Sequence, residues 1–317
     1  MSEPSPIKSG PITSVPLDFT GERFTPECVR EIWYEHWHRY VFARAFARGK
    51  RVLDAACGEG YGSALLAGEA ASVLGIDIAE DAIMHASARY GDRANLRFAR
   101  GDCTALNVPA ASFDLIASFE TLEHVGAQEA LIGGFAHALA DDGVLIISSP
   151  DKRSYSDISG FRNEFHVREL YRDELLALLK PYFPFIHLYG QKLLFQSTIW
   201  SLDGTAQTVA SVTAAADRES QAGLDYDPLY FIAVCSKRPL TLDLPGVALF
   251  GDREESVYQH YNGEVRKNMA AGTRLAQLEA EVATLRRELE NGIAPAIDVA
   301  SVPRTSWWRR LFGANTR

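Results

Sequence analysis

Apolar and polar positions change their period several times along the chain. Between Glu27 and Ala47, aromatic and aliphatic residues recur at helical spacing (Ile32, Trp33, Trp37, Tyr40, Val41, Phe42, Phe46), which predicts one or two amphipathic helices forming a cap ahead of the main domain. From Arg51 to Ser149, short apolar runs alternate with amphipathic stretches. The runs "RVLDAA", "SVLGIDI", "LRFARGD", "FDLIASF" and "GVLIISSP" read as strands, and "GSALLAGEA", "EDAIMHASARY" and "ALIGGFAHALA" as helices. Strand and helix alternating at this spacing predict a doubly wound α/β fold, a parallel sheet covered by helices on both faces. A polar segment, 151–165, leads to a helix around "RDELLALLKPYF" and to strands at "FIHLYGQKLLF" and "LYFIAVCSK". The insertion between those strands, 197–226, is rich in Ala, Gly and acids and predicts a loosely packed helix and loop.

Near the carboxyl end the period changes again. Leu275, Leu278, Val282, Leu285 and Leu289 fall at the a and d positions of a heptad, with Arg274 and Glu281 at g and Glu279 and Arg286 at e. In a parallel two-stranded coil, Arg274 meets Glu279 of a second copy and Glu281 meets Arg286, both pairs opposite in sign. The spacing therefore predicts either a parallel homodimer or a single amphipathic helix. The expected organisation is a disordered 1–17, a helical cap 18–47, a main domain 48–238, a linker 239–254, a coiled-coil helix 255–291 and a basic aromatic tail 292–317. The tail, "PRTSWWRRLFGANTR", has four arginines and two tryptophans and no acid, a composition suited to an anionic membrane surface or an acidic partner.

Composition narrows the chemistry. The 317 residues are 47% hydrophobic, enough for a large core, and the net charge of −9 argues against nucleic acid as a partner. Cys28, Cys57, Cys103 and Cys235 lie far apart without a Cys-x-x-Cys pair, so neither a disulfide framework nor a metal site is expected. No apolar run is long enough to span a bilayer and the amino terminus lacks an apolar leader core. The expected location is cytoplasmic, with room for a peripheral contact at the inner face of the membrane.

"VLDAACGEGYG" places three glycines directly after the first strand, where open α/β sheets bind ligands. A triphosphate loop needs Gly-Lys-Ser/Thr, but no lysine occurs between Arg51 and Lys152. The dinucleotide pattern fails too, since Gly58, Gly60 and Gly62 are spaced G-x-G-x-G and Ser63 stands where its last glycine belongs. Acids close the strands. Asp77 is suited to a ribose diol and Asp102 to an exocyclic amine of adenine, while Asp54 either orients the loop or meets an ammonium group. A free diol, an adenine and a positive charge together point to S-adenosylmethionine.

"VLDAACGEGYGS", "VLGIDIA", "RGDCTAL", "FDLIASFETLEHV" and "ALADDGVLIISSP" resemble, in order and spacing, the motifs of a class I S-adenosylmethionine-dependent methyltransferase across about residues 48–150. The resemblance implies a Rossmann-like, mostly parallel seven-stranded sheet whose last two strands form an antiparallel hairpin. It implies that Asp54, Ala56, Gly58 and Gly60 lie under the methionine part, that Asp77 with Ile78 holds the ribose and that Asp102 with Cys103 holds adenine. Phe119 and Glu120 would line the floor beneath the methyl donor. Ala56 departs from the family's first glycine, a tolerable change if its φ stays negative.

"FTGERFTPE", "EHWHRYVFA" and "NEFHVRELYRDEL" are similar to a methyltransferase type 11 subset found in bacterial surface-polysaccharide biosynthesis. The resemblance implies methylation of a sugar hydroxyl in a surface glycan or its precursor, with Asn163, Phe165, His166 and Glu169 on the acceptor side. A hydroxyl has a high pKa, so a base assists its attack. His166, His124 and Glu123 are the candidates, His166 first, although a hydrogen bond within its own loop explains it as well. His36 and His38 are expected to pack or cap. Arg23 and Arg39 either reach the cofactor carboxylate or pair with Glu22 and Glu35. Two other readings remain: a methyltransferase for a quinone or polyketide, and a catalytically idle scaffold organised by the coiled coil.

Overall fold

A computed structural model describes residues 31–199, 211–214 and 220–292. The elements in chain order are α1 (Glu31–Arg44), β1 (Arg51–Ala55), α2 (Tyr61–Leu66), β2 (Ser72–Asp77), α3 (Glu80–Tyr90), β3 (Leu96–Arg100), β4 (Phe113–Ser118), α4 (Gln128–Ala138) and β5 (Leu139–Pro150). Beyond β5 come α5 (Arg172–Leu179), β6 (Phe185–Gln191), β7 (Val212–Ala214), β8 (Ser220–Ala222), β9 (Tyr230–Ser236) and α6 (Ser256–Glu290). Seven strands make one sheet in the order β3-β2-β1-β4-β5-β9-β6. All neighbours are parallel except β9, which runs antiparallel to both β5 and β6. The expected doubly wound, mostly parallel sheet of seven strands is therefore present.

The strands are apolar throughout because both faces are covered. Val52, Leu115, Ala117, Val144, Ile146, Ile232 and Val234 face one core with α1 and α2 residues Tyr40, Ala43, Tyr61 and Leu65. Their immediate neighbours Leu53, Ile116, Leu145, Ile147, Ala233 and Cys235 face the other, with Leu131, Ile132 and Phe135 of α4 and Leu175 and Leu179 of α5. This is the two-residue alternation of a strand buried on both sides.

Two details differ from expectation. β6 ends at Gln191 rather than running on to Phe195, because its partner β9 begins only at Tyr230, after Pro228, whose missing N–H cannot extend the ladder. In the insertion, the described residues include an antiparallel pair, β7 with β8, which the sequence does not predict; much of the remainder, where a helix is expected, lies outside the described residues. Val212 and Thr213 are β-branched and favour extended backbone, and Thr213 Oγ1 donates to the Gly223 carbonyl at 2.9 Å and accepts from the Asp225 amide at 3.1 Å.

Residues 239–254, the expected linker, lie against α1 and β6. Phe250 packs on Trp33, Tyr34 and His38, Tyr34 donates to Asp252 at 2.5 Å, and Tyr189 donates to the Pro245 carbonyl at 3.0 Å. The chain divides into two compact units, 1–256 and 257–317. The second, as far as it is described, is the 35-residue helix α6, which carries the predicted leucine stripe exposed. No described helix is long and apolar enough to cross a membrane. The segment "FTGERFTPE" with Glu22 and Arg23, Cys28, and the tail from 293 onward lie outside the described residues.

Candidate active site

The carboxyl ends of β1 and β4 adjoin at the point where the strand order reverses, the place where open α/β sheets bind ligands. The first wall is the glycine loop. Gly58 and Gly60 adopt φ of 53° and 93°, as such a tight loop requires. Ala56 lies at φ 61°. The expectation of a negative φ there is thus corrected: the loop imposes the left-handed conformation that a glycine would take freely, and the alanine absorbs it.

The loop is tied down by carboxylates. Asp54 is fully buried and accepts from Tyr40 Oη at 2.9 Å and Ser63 Oγ at 2.6 Å. Burial pushes its carboxyl up to about 6 despite those two donors. Asp54 therefore orients the loop by joining α1, β1 and α2. Asp77 accepts from the Gly58 amide and, with its other oxygen, from the Ala79 amide, both at 2.9 Å. It stands half-buried at the end of β2, with Ile78 exposed beside it. Asp102, exposed after β3, accepts from the Thr104 amide at 2.8 Å and its hydroxyl at 2.7 Å, which lowers its carboxyl below the ordinary range. Cys103 beside it is buried, and desolvation pushes its thiol up to about 12.

Glu59, between two glycines of the loop, is not among the residues the sequence singles out. Its buried carboxylate accepts from Arg89 at 2.8 Å, Tyr90 at 3.0 Å and the Tyr61 amide at 3.1 Å, and lies 3.0 Å from His85 Nε2. It clamps the loop to α3. A lone acid between two glycines carries no signal of this in a single sequence.

The floor lies just past β4. Phe119 packs edge-on against Tyr40 with centroids 4.9 Å apart. Glu120, at φ 49°, accepts from Ser148 Oγ at 2.7 Å, and its amide donates back to that oxygen at 2.9 Å. Arg39, from α1, is wholly buried. Its Nε donates to Gln191 at 2.7 Å, one terminal nitrogen lies 3.4 Å from Glu120, and the guanidinium covers the Tyr230 ring at 4.4 Å. Gln191 also donates to the Glu35 carbonyl at 2.9 Å. Arg39 thus pairs with Glu120 rather than forming an ion pair with Glu35. Burial raises Glu35 to about 7 against the pull of Arg39. His38 stacks on Phe250, and burial holds His36 and His38 below the ordinary imidazole range.

The far wall joins the turn after β4 to the segment after β5. Val167 and Arg168 donate their amides to the Glu123 carbonyl at 2.8 and 3.0 Å, docking one on the other. His166 Nδ1 lies 2.6 Å from Glu169, its Nε2 lies 3.1 Å from the Asn163 amide nitrogen, and its ring stacks on Tyr155. His124 meets His166 edge to face at 5.0 Å and places Nδ1 3.2 Å from the Phe165 carbonyl. Glu123 is 1% exposed, and burial raises its carboxyl well above the ordinary range. The three candidate catalytic groups, 43 residues apart at the extremes, thus converge. Their ligand atoms lie within 4.8 Å of one another. No expectation of this proximity arises from the sequence, because His166 lies far from the other two along the chain.

Residues 46–179 match the methyltransferase domain family. That observation decides among the nucleotide loops. S-adenosylmethionine is accordingly the cofactor for which this domain is built, and the donor set fits it: two acids at adjoining strand ends, with no lysine or arginine in the loop 56–62. A probable S-adenosylmethionine-dependent methyltransferase from Mycolicibacterium smegmatis is 36% identical over 52% of this chain and 64% of its own length. One from Mycobacterium tuberculosis is 34% identical over 51% of this chain and 60% of its own. The chain thus spans less than two thirds of these relatives. A ubiquinone biosynthesis O-methyltransferase from Idiomarina loihiensis is 33% identical over 38% of this chain and 50% of its own length. Among solved structures, a TehB-like methyltransferase from Corynebacterium glutamicum aligns over 63% of this chain and 88% of that one, at 18% identity and a TM-score of 0.43.

Proposed function

We propose that the protein transfers the methyl group of S-adenosylmethionine to an acceptor hydroxyl, and that the acceptor is a sugar of a surface glycan or of its precursor. The observation that carries this reading is the convergence of Glu123 and His124, in the turn after β4, with His166, in the segment after β5. When bound, the cofactor supplies an electrophilic methyl on a sulfonium. The chain's own residues position the reactants, which accounts for much of the acceleration in an in-line displacement. Asp77 and Asp102 hold the ribose and adenine, and Ile78 and Cys103 flank them. The acceptor hydroxyl loses its proton at the Glu123, His124 and His166 cluster. Asn163, Glu169 and the Tyr155 ring hold His166 in place at that point.

A second reading, a phenolic acceptor of the quinone kind, is favoured by the relative of that activity. Transfer of labelled methyl to a panel of glycans and phenols separates the two: phenols methylated and sugars untouched would displace the first reading. Calorimetric titration with S-adenosylmethionine tests the cofactor, with binding expected in the wild type and lost in Asp77→Ala.

We also propose that α6 pairs with a second copy as a parallel coiled coil, and that the basic aromatic tail lets the assembly touch an anionic membrane. The leucine stripe and its flanking charges support the pairing.

A further inference from the structure

We infer that Glu123, His124 and His166 form a binding site for a divalent first-row metal ion. Three observations support this. The ligand atoms of the three side chains lie within 4.8 Å of one another, close enough for small side-chain adjustments to bring them around one ion. Glu123 is 1% exposed, and neither carboxylate oxygen has a hydrogen-bond partner among the described residues. A buried carboxylate left this way is costly, and a native structure keeps such a group where it serves a purpose.

The third observation is how the imidazoles are held. His166 directs Nδ1 at Glu169, 2.6 Å away, and His124 directs Nδ1 at the Phe165 carbonyl, 3.2 Å away. Each oxygen accepts a hydrogen bond, so each ring carries its hydrogen on Nδ1, and the His166 ring accepts at Nε2 from the Asn163 amide. This is the outer-shell arrangement that orients metal-ligating histidines. His124 Nε2 is 3.9 Å from Glu123 Oε1, and His166 Nε2 faces the Asn163 amide donor at 3.1 Å, which an ion would displace.

Two imidazoles and a carboxylate suit zinc and its first-row neighbours, and three protein ligands leave a coordination position open. The inference rests on the proposed acceptor side for its role: a hydroxyl bound at that open position would lose its proton more readily, and the proton would pass to solvent water. His166 then serves as a ligand rather than as a free base.

The full-length protein, stripped with EDTA and dialysed, is titrated with cobalt(II) and zinc(II). We expect about one equivalent of cobalt to bind with visible absorption bands and to be displaced by zinc. Glu123→Gln and His166→Asn should abolish the bands, and Glu169→Gln should weaken binding about tenfold to a hundredfold by loosening His166. Circular dichroism and S-adenosylmethionine titration on each variant show that the fold is intact. Absence of saturable cobalt binding in the wild type, or equal binding in the folded variants, overturns the inference. Methyl transfer at full rate in EDTA would overturn the ion's role and leave the proposed function standing. Cobalt binding without any S-adenosylmethionine binding would remove the proposed function and leave the metal site.

Discussion

Gly62 and Tyr40 compete for one volume: a β-carbon built at Gly62 would clash with Cζ of the Tyr40 ring. The third glycine of the loop is therefore a packing glycine. It lets α1 lie directly on α2, and the hydroxyl of the same tyrosine reaches Asp54 at 2.9 Å. The helical cap and the loop are one construction.

Gly62→Ala is accordingly expected to destabilise the protein by about 1–3 kcal/mol, the usual cost of forcing an extra carbon into a packed interior. Urea denaturation measures it. A loss below roughly 0.5 kcal/mol, the size of an ordinary surface substitution, would show that the ring does not occupy that space.

Ala56 makes the opposite prediction. Its φ of 61° is one that glycine adopts without a side-chain clash. Ala56→Gly should leave cofactor affinity intact and raise stability by up to about 1 kcal/mol, the relieved strain being partly offset by greater freedom of the unfolded chain. A destabilised variant would argue that the alanine methyl makes contacts worth more than the strain.

Glu59 tests whether the loop needs its clamp. Removing a buried carboxylate that accepts from Arg89 and Tyr90 leaves those donors unmatched. Glu59→Ala should cost roughly 3 kcal/mol. The same loosened loop should weaken S-adenosylmethionine binding in calorimetry, whereas an unchanged dissociation constant would confine Glu59 to a role in stability.

Much of the fold and part of the site are legible in the sequence, and the exceptions have physical causes. The strands are readable because burial on both faces leaves runs such as "VLIIS" with few polar residues. The placement of Asp77 at the end of β2 and of Asp102 just after β3 is readable because acids at strand ends are local signals. The Arg39, Glu120 and Gln191 cluster is not, since its members come from α1, the turn after β4 and the end of β6. The sign of φ at Ala56 is not readable either, because the loop around it imposes that conformation. Glu123 and His166 are each ordinary in sequence, and only the docking of 163–169 onto the turn after β4 brings them together.

Glu35 gives the protein a pH dependence of defined sign. Burial raises its carboxyl from 4.5 to about 7, so the folded protein holds a proton there that the unfolded chain has released. Folding takes up that proton between these values, and its contribution makes the protein more stable as the pH falls from about 7 toward 4.5. Asp54, raised to about 6, acts in the same direction, while the buried His36 and His38 act in the opposite one below their ordinary value. Glu35→Gln removes only the first contribution. Thermal melts of both proteins from about pH 5 to pH 8 should show the variant gaining less on acidification than the wild type. Parallel profiles would mean that Glu35 is ionised in the folded state.

The orientation of α6 is testable through a single position. In a parallel, in-register pair, each core residue meets its own copy, and the flanking pairs Arg274 with Glu279 and Glu281 with Arg286 are attractive. Antiparallel pairing sets g against g, which places Glu281 near Glu281 or Glu288 of the other helix, so the charges favour the parallel arrangement. Leu285 is 48% exposed, and Cys57, Cys103 and Cys235 are buried. In Leu285→Cys, oxidation should therefore give a disulfide-linked dimer on a non-reducing gel, and the wild type should sediment at twice the monomer mass. A monomeric wild type would remove the dimer altogether. A dimer that resists cross-linking at Leu285 alone but cross-links when Leu285→Cys is mixed with Leu275→Cys or Val282→Cys, the a positions that a d residue meets in antiparallel pairing, would establish the antiparallel arrangement instead.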